Sequence, residues 1–248
     1  MTKYNTPGKK QKVEKMFNDI APRYDLLNHV LSAGIDIRWR KEVRKLLEPI
    51  KPMQILDVAT GTGDLAIELA KLKPKKIVGL DIAAQMLEVG TQKIKKLQLD
   101  EVIRMVHGDS AKIPFSDNAF DAITVAFGVR NFEDLHRGLK DMQRVLKPGG
   151  RVVVLEFSKP KGFLFKQIYQ FYFRFVLPVV GRLVSKHKEA YTYLPDSVSQ
   201  FAEGEEFLDQ MKIAGFVEAK QKRLSMGIAT LYWATKEKPR KPIKHNKS

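Results

Sequence analysis

The chain has 248 residues, of which 44% are hydrophobic and 29% charged, which suits one globular domain and argues against wholesale disorder. It contains no cysteine, which excludes disulfides, thiolate metal sites and a cysteine nucleophile. The formal net charge is +16, and residues 236–248 contribute +5 of it with six Lys or Arg and one Glu. Such an excess suits anionic lipid or nucleic acid, and equally a well-solvated surface.

The first fifty residues predict helices. Lysines are spread through a polar stretch from Lys3 to Lys15, so no secretory signal peptide is expected there. Residues 12–48 have a helical, amphipathic pattern, with Val43, Leu46 and Leu47 on one face.

From residue 54 onward, short apolar runs alternate with helical ones. Five of the short apolar runs have apolar residues at consecutive positions, as expected of parallel strands that are covered on both faces. They are residues 54–59, 76–80, 102–107, 122–127 and 152–155. Leucines recur at helical spacing between them, and the last of these helices is expected to stop at residues 147–150 (KPGG). The alternation predicts right-handed crossovers and an open, doubly wound sheet.

An aromatic insertion covers residues 157–203 and is predicted to be helical. Its stretch 163–180 resembles a membrane span in length, but Lys166, Arg174 and Pro178 interrupt it. We therefore expect an amphipathic or lid helix there, with an aromatic helix packed on the core as the alternative.

A further helix and two successive strands close the chain. The helix carries Phe207 and Met211, and the strands cover residues 217–223 and 228–235 with no helix between them. The predicted fold is therefore α/β, with a doubly wound, mainly parallel, Rossmann-like sheet of seven strands. It has N-terminal helices and a helical insertion before the last strands.

The strongest local signal is the segment 57–64 (DVATGTGD), which passes from a strand into a helix. In an open α/β sheet, ligands bind beyond the carboxyl ends of the strands. Gly61 and Gly63 let a ligand approach the backbone there, and the helix that follows offers unpaired N–H groups. Asp81 ends the next strand and residues 108–110 (GDS) follow the third, so the set predicts a cofactor site. A tight turn without a ligand is the alternative.

Two cofactors fit these residues. The glycines match the dinucleotide fingerprint, and Asp81 would bind ribose hydroxyls with either cofactor. Asp57, however, places a carboxylate beside the glycine loop, where it suits the methionyl ammonium of S-adenosylmethionine better than a pyrophosphate. Asp109 and Ser110 suit contacts to an adenine amine, and the closing strand hairpin differs from the simple dinucleotide-binding pattern. The ordered set favours S-adenosylmethionine.

Several segments resemble the ubiquinone/menaquinone biosynthesis C-methyltransferase family, within the class I methyltransferases that use S-adenosylmethionine. They are residues 17–28 (FNDIAPRYDLLN), 55–64 (ILDVATGTGD), 127–131 (FGVRN), 146–150 (LKPGG) and 155–160 (LEFSKP). The resemblance spans roughly residues 12–235. The glycine loop is shared by the whole superfamily, whereas FGVRN, LEFSKP and the N-terminal segment are much narrower signals.

The resemblance implies that S-adenosylmethionine is the cofactor and that Thr62, Asp81, Asp109 and Ser110 lie at positions that bind it. Where relatives often carry serine, this chain has Ala126, so no contact from that hydroxyl is expected. The implied reaction is methylation of a ring carbon of a polyprenylated quinol, from demethylmenaquinol to menaquinol. A benzoquinol of ubiquinone biosynthesis is left open as a second substrate.

We expect a single methyltransferase domain in the cytoplasm. Because a polyprenylated quinol lies in the bilayer, we also expect the protein to dock at the inner face of an anionic membrane, through residues 163–180 and the basic clusters at both ends of the chain. Neither a metal nor a nucleic acid is an expected partner, and a homodimer is left open. The expected segments are a helical cap (1–50), a cofactor-binding core (51–156), the aromatic insertion (157–203), a final helix and strand hairpin (204–235) and a basic tail (236–248).

Arg130 and Asn131 follow the fourth strand, where groups that face the substrate would lie. We expect Arg130 to stabilise a phenolate and Asn131 to orient a ring oxygen. A salt bridge within the loop and a turn-forming amide are the alternative.

Other polar residues are weaker candidates. Tyr24, Asp25 and Asn28 belong to the N-terminal segment and are lid candidates, with Asp25 or His29 as a proton acceptor. A capped surface helix would explain them nearly as well. His107 lies in an apolar strand and is expected to be a core histidine.

Two other functions compete with quinol methylation. The basic charge favours an RNA methyltransferase, with the aromatic insertion as a platform on which bases stack. The chain lacks both a Pro-Pro-aromatic motif for amine methylation and a cysteine for covalent attack on a pyrimidine. A non-catalytic nucleotide-binding module is the third hypothesis, and the intact loop with Asp81 and Asp109 argues against it.

Overall fold

The computed structural model describes residues 5–26, 32, 34–160, 167 and 188–239. A single seven-stranded sheet organises this part of the chain. Its strands are β1 (Gln54–Val58), β2 (Lys76–Asp81), β3 (Ile103–His107), β4 (Phe120–Ala126), β5 (Leu146–Phe157), β6 (Phe216–Leu224) and β7 (Ala229–Lys236). All seven predicted strands are present. Their ends shift by a residue or two, except that β5 begins six residues earlier than predicted and includes the Pro-Gly-Gly stretch.

Helices flank this sheet. They are α1 (Lys9–Ile20), α2 (Ile35–Leu47), α3 (Asp64–Leu69), α4 (Ala84–Lys96), α5 (Leu135–Val145), α6 (Lys188–Gln200) and α7 (Glu205–Ile213). Short 3-10 turns occur at Ala21–Arg23, Glu48–Ile50, Ala70–Leu72, Val129–Asn131 and Ser225–Gly227. Within the described residues, the predicted N-terminal helical region contains α1, the 3-10 turn at Ala21–Arg23 and α2, which begins after Gly34.

The strand order creates a crevice at the middle of the sheet. The order is β3-β2-β1-β4-β5-β7-β6, with β1 to β5 parallel and β7 antiparallel to both β5 and β6. The chain after β1 turns towards β2, whereas β4 lies on the other side of β1. Ligands of open α/β sheets bind at such a switch point, beyond the carboxyl ends of the strands. The predicted sheet and closing hairpin are confirmed.

Successive residues of β1 point to opposite faces of the sheet and enter two separate cores. Ile55 packs with Val43 of α2 and with α3, whereas Leu56 packs with Leu139 of α5 and Phe207 of α7. These five side chains are fully buried. Helices on both faces explain why the central strands are continuously apolar in sequence.

The prediction that His107 is a core histidine is wrong. β3 is the edge strand of the sheet, and the imidazole of His107 is exposed at its end. Its Nε2 atom lies 2.9 Å from the carbonyl oxygen of Ile82. An edge strand is covered less completely than a central one, so its apolar pattern overestimates burial.

Among the helices that the structure describes, none is long and apolar enough to cross a membrane. The stretch 163–180, for which an amphipathic or lid helix is predicted, falls outside the described residues apart from Gln167. That prediction therefore stays a prediction.

Candidate active site

A cavity of about 510 Å³ opens at the carboxyl ends of the central strands. This volume is within the range of small-molecule and cofactor pockets. Five of the residues singled out from the sequence line it together: Gly61, Asp81, Asp109, Ser110 and Asn131. Sequence positions that are seventy residues apart thus converge on one site.

The glycine loop is tied to Asp81. Gly61 has a positive φ of 57°, and its backbone N–H donates to Asp81 Oδ2 at 2.7 Å. The N–H of Ala83 donates to Oδ1 at 2.9 Å. Burial raises the pKa of Asp81, and the two backbone hydrogen bonds offset this rise only in part. A carboxylate has about four acceptor positions, so Asp81 retains capacity for two hydroxyl groups of a ligand.

Thr62 and Gly63 lie deeper than Gly61. Thr62 is nearly fully buried, and its hydroxyl donates to Asp25 Oδ1. Gly63 has a φ of 82°, directly precedes α3 and donates its N–H to the carbonyl oxygen of Thr60 at 3.0 Å. Gly63 is absent from the linings of the cavities described here, whereas Gly61 lines the main cavity together with Val58 and Ala59.

A small cavity of about 20 Å³ lies beside the glycine loop and contains opposite charges. Asp57 and Arg40 line it together with Thr62 and Phe127. Asp57 accepts hydrogen bonds of 2.6 Å from the hydroxyls of Thr60 and Thr124. Burial raises the pKa of Asp57 to about 6, opposed by those hydroxyls. The predicted carboxylate is therefore present beside the loop, with half of its acceptor positions occupied by threonine.

Arg40 was not predicted from the sequence. It lies on α2, is almost completely buried and pairs with Asp36 one helical turn earlier. Its second terminal nitrogen lies 3.2 Å from Asp64 Oδ2, at the start of α3. The guanidinium thus connects the N-terminal cap to the helix that follows the glycine loop.

The N-terminal cap also covers the opposite end of the main cavity. Lys10, Val13 and Phe17 of α1 line that cavity. Lys10 Nζ lies 2.7 Å from Asp109 Oδ2, and the N–H of Ala111 donates to Oδ1 at 2.8 Å. Burial raises the pKa of Asp109, but the hydrogen bonds from Lys10 and Ala111 outweigh this effect and hold the pKa below its ordinary value.

The lid candidates occupy different positions. Tyr24 lines both the main and the small cavity. Asp25 accepts from Thr62 and from Lys93 Nζ at 2.7 Å, and Lys93 also reaches Asp64 at 2.6 Å. Asn28 and His29 fall outside the described residues. Asp25 therefore joins the cap to the glycine loop through a network of charged hydrogen bonds.

Arg130 and Asn131 face different cavities. Asn131 lines the main cavity, whereas Arg130 lines a neighbouring cavity of about 320 Å³. Arg130 Nη1 lies 2.7 Å from Glu156 Oε1, and the Glu156 side chain is completely buried. Of this predicted pair, only the amide of Asn131 is placed to touch a ligand in the main cavity.

Phe127, just after β4, has a strained backbone. Its φ is +58°, a region that bulky side chains rarely adopt, and such strain clusters at functional sites. Its carbonyl accepts from Arg130 Nη1, and its ring stacks on Phe157 with centroids 4.5 Å apart. Trp39 adds a third ring at 5.9 Å. The arginine and the aromatic cluster therefore hold Phe127 at the junction of the main and small cavities.

Comparisons with known proteins agree with this geometry. The model of the ubiE/COQ5 methyltransferase family matches residues 5–236. A demethylmenaquinone methyltransferase of Bacteroides fragilis is 48% identical over 235 residues, which cover 94% of this chain and 96% of that protein. A ubiquinone/menaquinone biosynthesis C-methyltransferase of Geotalea daltonii is 49% identical over 230 residues, which cover 92% of this chain and 97% of that protein.

Solved structures share the fold at low sequence identity. A SAM-dependent methyltransferase from Thermotoga maritima has a TM-score of 0.64 and 20% identity, covering 90% of this chain and 99% of that chain. The [4+2]-cyclase SpnF has a TM-score of 0.67 and 17% identity, covering 95% and 98%. At these identities the likeness shows the fold alone, which is that of class I methyltransferases.

Proposed function

We propose, since this chain belongs to the ubiE/COQ5 methyltransferase family, that it methylates a ring carbon of demethylmenaquinol with S-adenosylmethionine as the methyl donor. One observation carries the proposal beyond family membership. A cavity of cofactor size lies at the switch point of the sheet. The carboxylates of Asp81 and Asp109, the hydroxyl of Ser110 and the amide of Asn131 line it together. The named relatives of Bacteroides fragilis and Porphyromonas gingivalis support demethylmenaquinol as the acceptor.

The polar groups that line the main cavity fit the nucleoside half of the cofactor. Asp81 has acceptor capacity for two ribose hydroxyls beyond its bonds to Gly61 and Ala83. Asp109 and Ser110 are proposed to meet the adenine amine and ring edge. Because Lys10 and the Ala111 N–H keep Asp109 ionised, it accepts hydrogen bonds and does not donate them.

The charges that line the small cavity are complementary to those of the amino-acid half of the cofactor. Asp57 supplies a negative charge and Arg40 a positive one on the same lining. We propose that Asp57 faces the methionyl ammonium and Arg40 the methionyl carboxylate, with Thr62 between them. Hydrogen bonds to charged groups contribute about 1.5–3 kcal/mol each, so this pair would contribute substantially to affinity.

For the chemistry, bound S-adenosylmethionine supplies a sulfonium methyl group that an electron-rich quinol carbon can attack. The protein positions the acceptor and excludes water, which is the larger part of such catalysis. Asn131 is proposed to hold a ring oxygen by its amide, and Phe127 to border the reacting ring. A base that receives the hydroxyl proton would add about 10²–10⁴-fold. Arg130 acts from the second cavity, through the carbonyl of Phe127.

The acceptor carries a polyprenyl chain, so we propose that the enzyme works at an anionic membrane surface in the cytoplasm. The net charge of +16 supports this, because each Lys or Arg near such a surface contributes about 1 kcal/mol. Relatives named for both ubiquinone and menaquinone biosynthesis support a benzoquinol as a second acceptor. Metal ions and nucleic acids have no part in the proposal.

The test is a methyl-transfer assay with the purified protein and S-adenosylmethionine labelled in its methyl group. Membranes that contain demethylmenaquinol under reducing conditions are the acceptor, and bulk RNA is the comparator. We expect label in a lipid-soluble quinone, and we expect an Asp81→Ala variant to lose most of it. Label in RNA and none in the quinone would replace this function by RNA methylation. Cofactor binding without transfer to either acceptor would favour a binding module.

A further inference from the structure

Helix α6 contacts Arg130 and Asn131, which belong to the 3-10 turn after β4 and are distant from this helix in sequence. Tyr193 Oη lies 3.0 Å from Asn131 Oδ1. One turn later, Ser197 Oγ accepts a hydrogen bond of 3.3 Å from Arg130 Nε. Tyr193 and Ser197 are four residues apart and therefore share one face of the helix. This face holds both members of the Arg130-Asn131 pair from outside the sheet.

The hydrogen bonds of Asn131 allow only one orientation of its amide. Its Nδ2 atom lies 3.5 Å from the carbonyl oxygen of Phe127, and a carbonyl can only accept. The amide nitrogen must face Phe127, so the amide oxygen faces Tyr193 and the tyrosine hydroxyl is the donor. Among the described residues, none takes the second hydrogen of the amide. Asn131 lines the main cavity, where an acceptor on a ligand can receive it.

The hydroxyl of Tyr193 stays a donor at physiological pH. Burial raises its pKa, and the positive charge of Arg130 opposes this only in part. Ser197 is equally fixed in its role, because its hydroxyl proton goes to the carbonyl of Leu194 at 3.0 Å. Its oxygen is therefore available to accept from Arg130. Tyr193 therefore donates to Asn131, and Ser197 accepts from Arg130.

We propose that Tyr193 is a positioning residue for methyl transfer, which fixes the amide of Asn131 so that its second N–H points at a ring oxygen of the acceptor. Helix α6 is then part of the active site. The inference rests on the proposed function for its kinetic consequence. The hydrogen bond itself belongs to the protein and can be examined without a substrate.

The kinetic test compares Tyr193→Phe with wild type in the demethylmenaquinol assay. Phenylalanine keeps the ring and removes only the hydroxyl, so we expect kcat to fall about 3- to 10-fold, as for one lost neutral hydrogen bond. The KM for S-adenosylmethionine should stay within about twofold. Tyr232→Phe is the matched control, because its hydroxyl accepts from the N–H of Gly204 in the core and should leave kcat unchanged.

A double-mutant cycle separates positioning from packing. In an Asn131→Ala background the hydroxyl has no amide to fix, so adding Tyr193→Phe should change kcat by less than about twofold. Equal losses in both backgrounds would overturn the proposal, as would an unchanged kcat for Tyr193→Phe alone. If Tyr193→Phe also has a lower thermal midpoint than Tyr232→Phe, and if kcat falls equally in the wild-type and Asn131→Ala backgrounds, the hydroxyl contributes to the stability of the fold and not to positioning.

The second measurement needs no acceptor. In the full chain, the side-chain amide signals of Asn131 can be assigned by their loss in Asn131→Ala. We expect Tyr193→Phe to shift these signals and to speed their exchange with water. Identical signals in wild type and Tyr193→Phe would overturn the proposed contact. If wild type fails to methylate demethylmenaquinol while the signals shift as expected, the proposed function fails and the positioning contact stands.

Discussion

The guanidinium of Arg130 lies 2.7 Å from the carboxylate of Glu156, and both side chains are almost completely shielded from water. Removing one partner of a buried ion pair costs about 3–5 kcal/mol, because the other charge stays buried without compensation. We therefore expect Arg130→Ala to lower the free energy of unfolding by about this amount, as well as turnover. Chemical denaturation measures the first effect.

A matched control for this stability loss is Lys212→Ala. Lys212 also pairs with a carboxylate, Asp209, but both side chains are more than half exposed. Its removal should leave the denaturation midpoint unchanged. If Arg130→Ala is as stable as Lys212→Ala, the ion pair with Glu156 is not formed as described. Where Arg130→Ala is folded, its affinity for S-adenosylmethionine should stay within a few-fold, because Arg130 does not line the main cavity.

Asp81→Ala should weaken binding of S-adenosylmethionine about 10- to 150-fold, the range expected when hydrogen bonds to a charged group are lost. The same change removes the acceptor of the Gly61 N–H and so loosens the glycine loop. Calorimetry of the cofactor measures the effect. Asp100→Ala, at an exposed position before β3, is the control. Equal affinities for the two variants would remove Asp81 from the cofactor site.

The affinity for S-adenosylmethionine should depend on pH through Asp57. Burial raises the pKa of Asp57 to about 6, so the carboxylate is ionised above that pH and neutral below it. A neutral group no longer attracts the methionyl ammonium, so affinity should fall as the pH drops from 7 to 5, by up to about tenfold per unit below the pKa. In Asp57→Asn the affinity should be weak at pH 7 and should not vary over this range. If the affinity of Asp57→Asn still falls between pH 7 and pH 5 as it does in wild type, another group is responsible for the titration.

Binding to membranes should be electrostatic and should involve the end of the chain. Deleting residues 240–248 removes four Lys or Arg and keeps Lys236, whose Nζ donates to Asn118 and to the carbonyl of Gln143. We expect the wild-type protein to sediment with anionic vesicles at low salt and to be released as salt rises. The truncated chain should bind more weakly, with its affinity for S-adenosylmethionine intact. Equal sedimentation with neutral and anionic vesicles at every salt concentration would exclude this mode of binding.

The sequence predicts the sheet well because central parallel strands carry a strong signal. β1, β2, β4 and β5 are apolar on both faces, and the hairpin of β6 and β7 is visible because no helix separates them. The same rule fails at His107, since β3 is an edge strand and the pattern does not tell which strand lies at the edge. The 3-10 turn at Ala21–Arg23, where α1 ends, was equally hidden within a continuous amphipathic pattern.

The site could be predicted only where residues end a strand or follow one in the chain. Asp81, Asp109 and Asn131 are of this kind, and the structure brings them to one cavity. Arg40 lines the small cavity and Tyr193 lines the cavity of Arg130, each from a helix that is distant in sequence. A charged or aromatic residue on an amphipathic helix carries no signal for such a contact. Only the fold reveals that they reach the site.

The most direct test of the central claim is the quinone content of cells that lack this protein. Mass spectrometry of their lipid extract should show demethylmenaquinone, one methyl group lighter than menaquinone, in place of menaquinone. Restoring the wild-type chain should restore menaquinone, and restoring Asp81→Ala should do so poorly. Unchanged menaquinone in the deletion strain, or an altered methylation of RNA with normal quinones, would contradict the account.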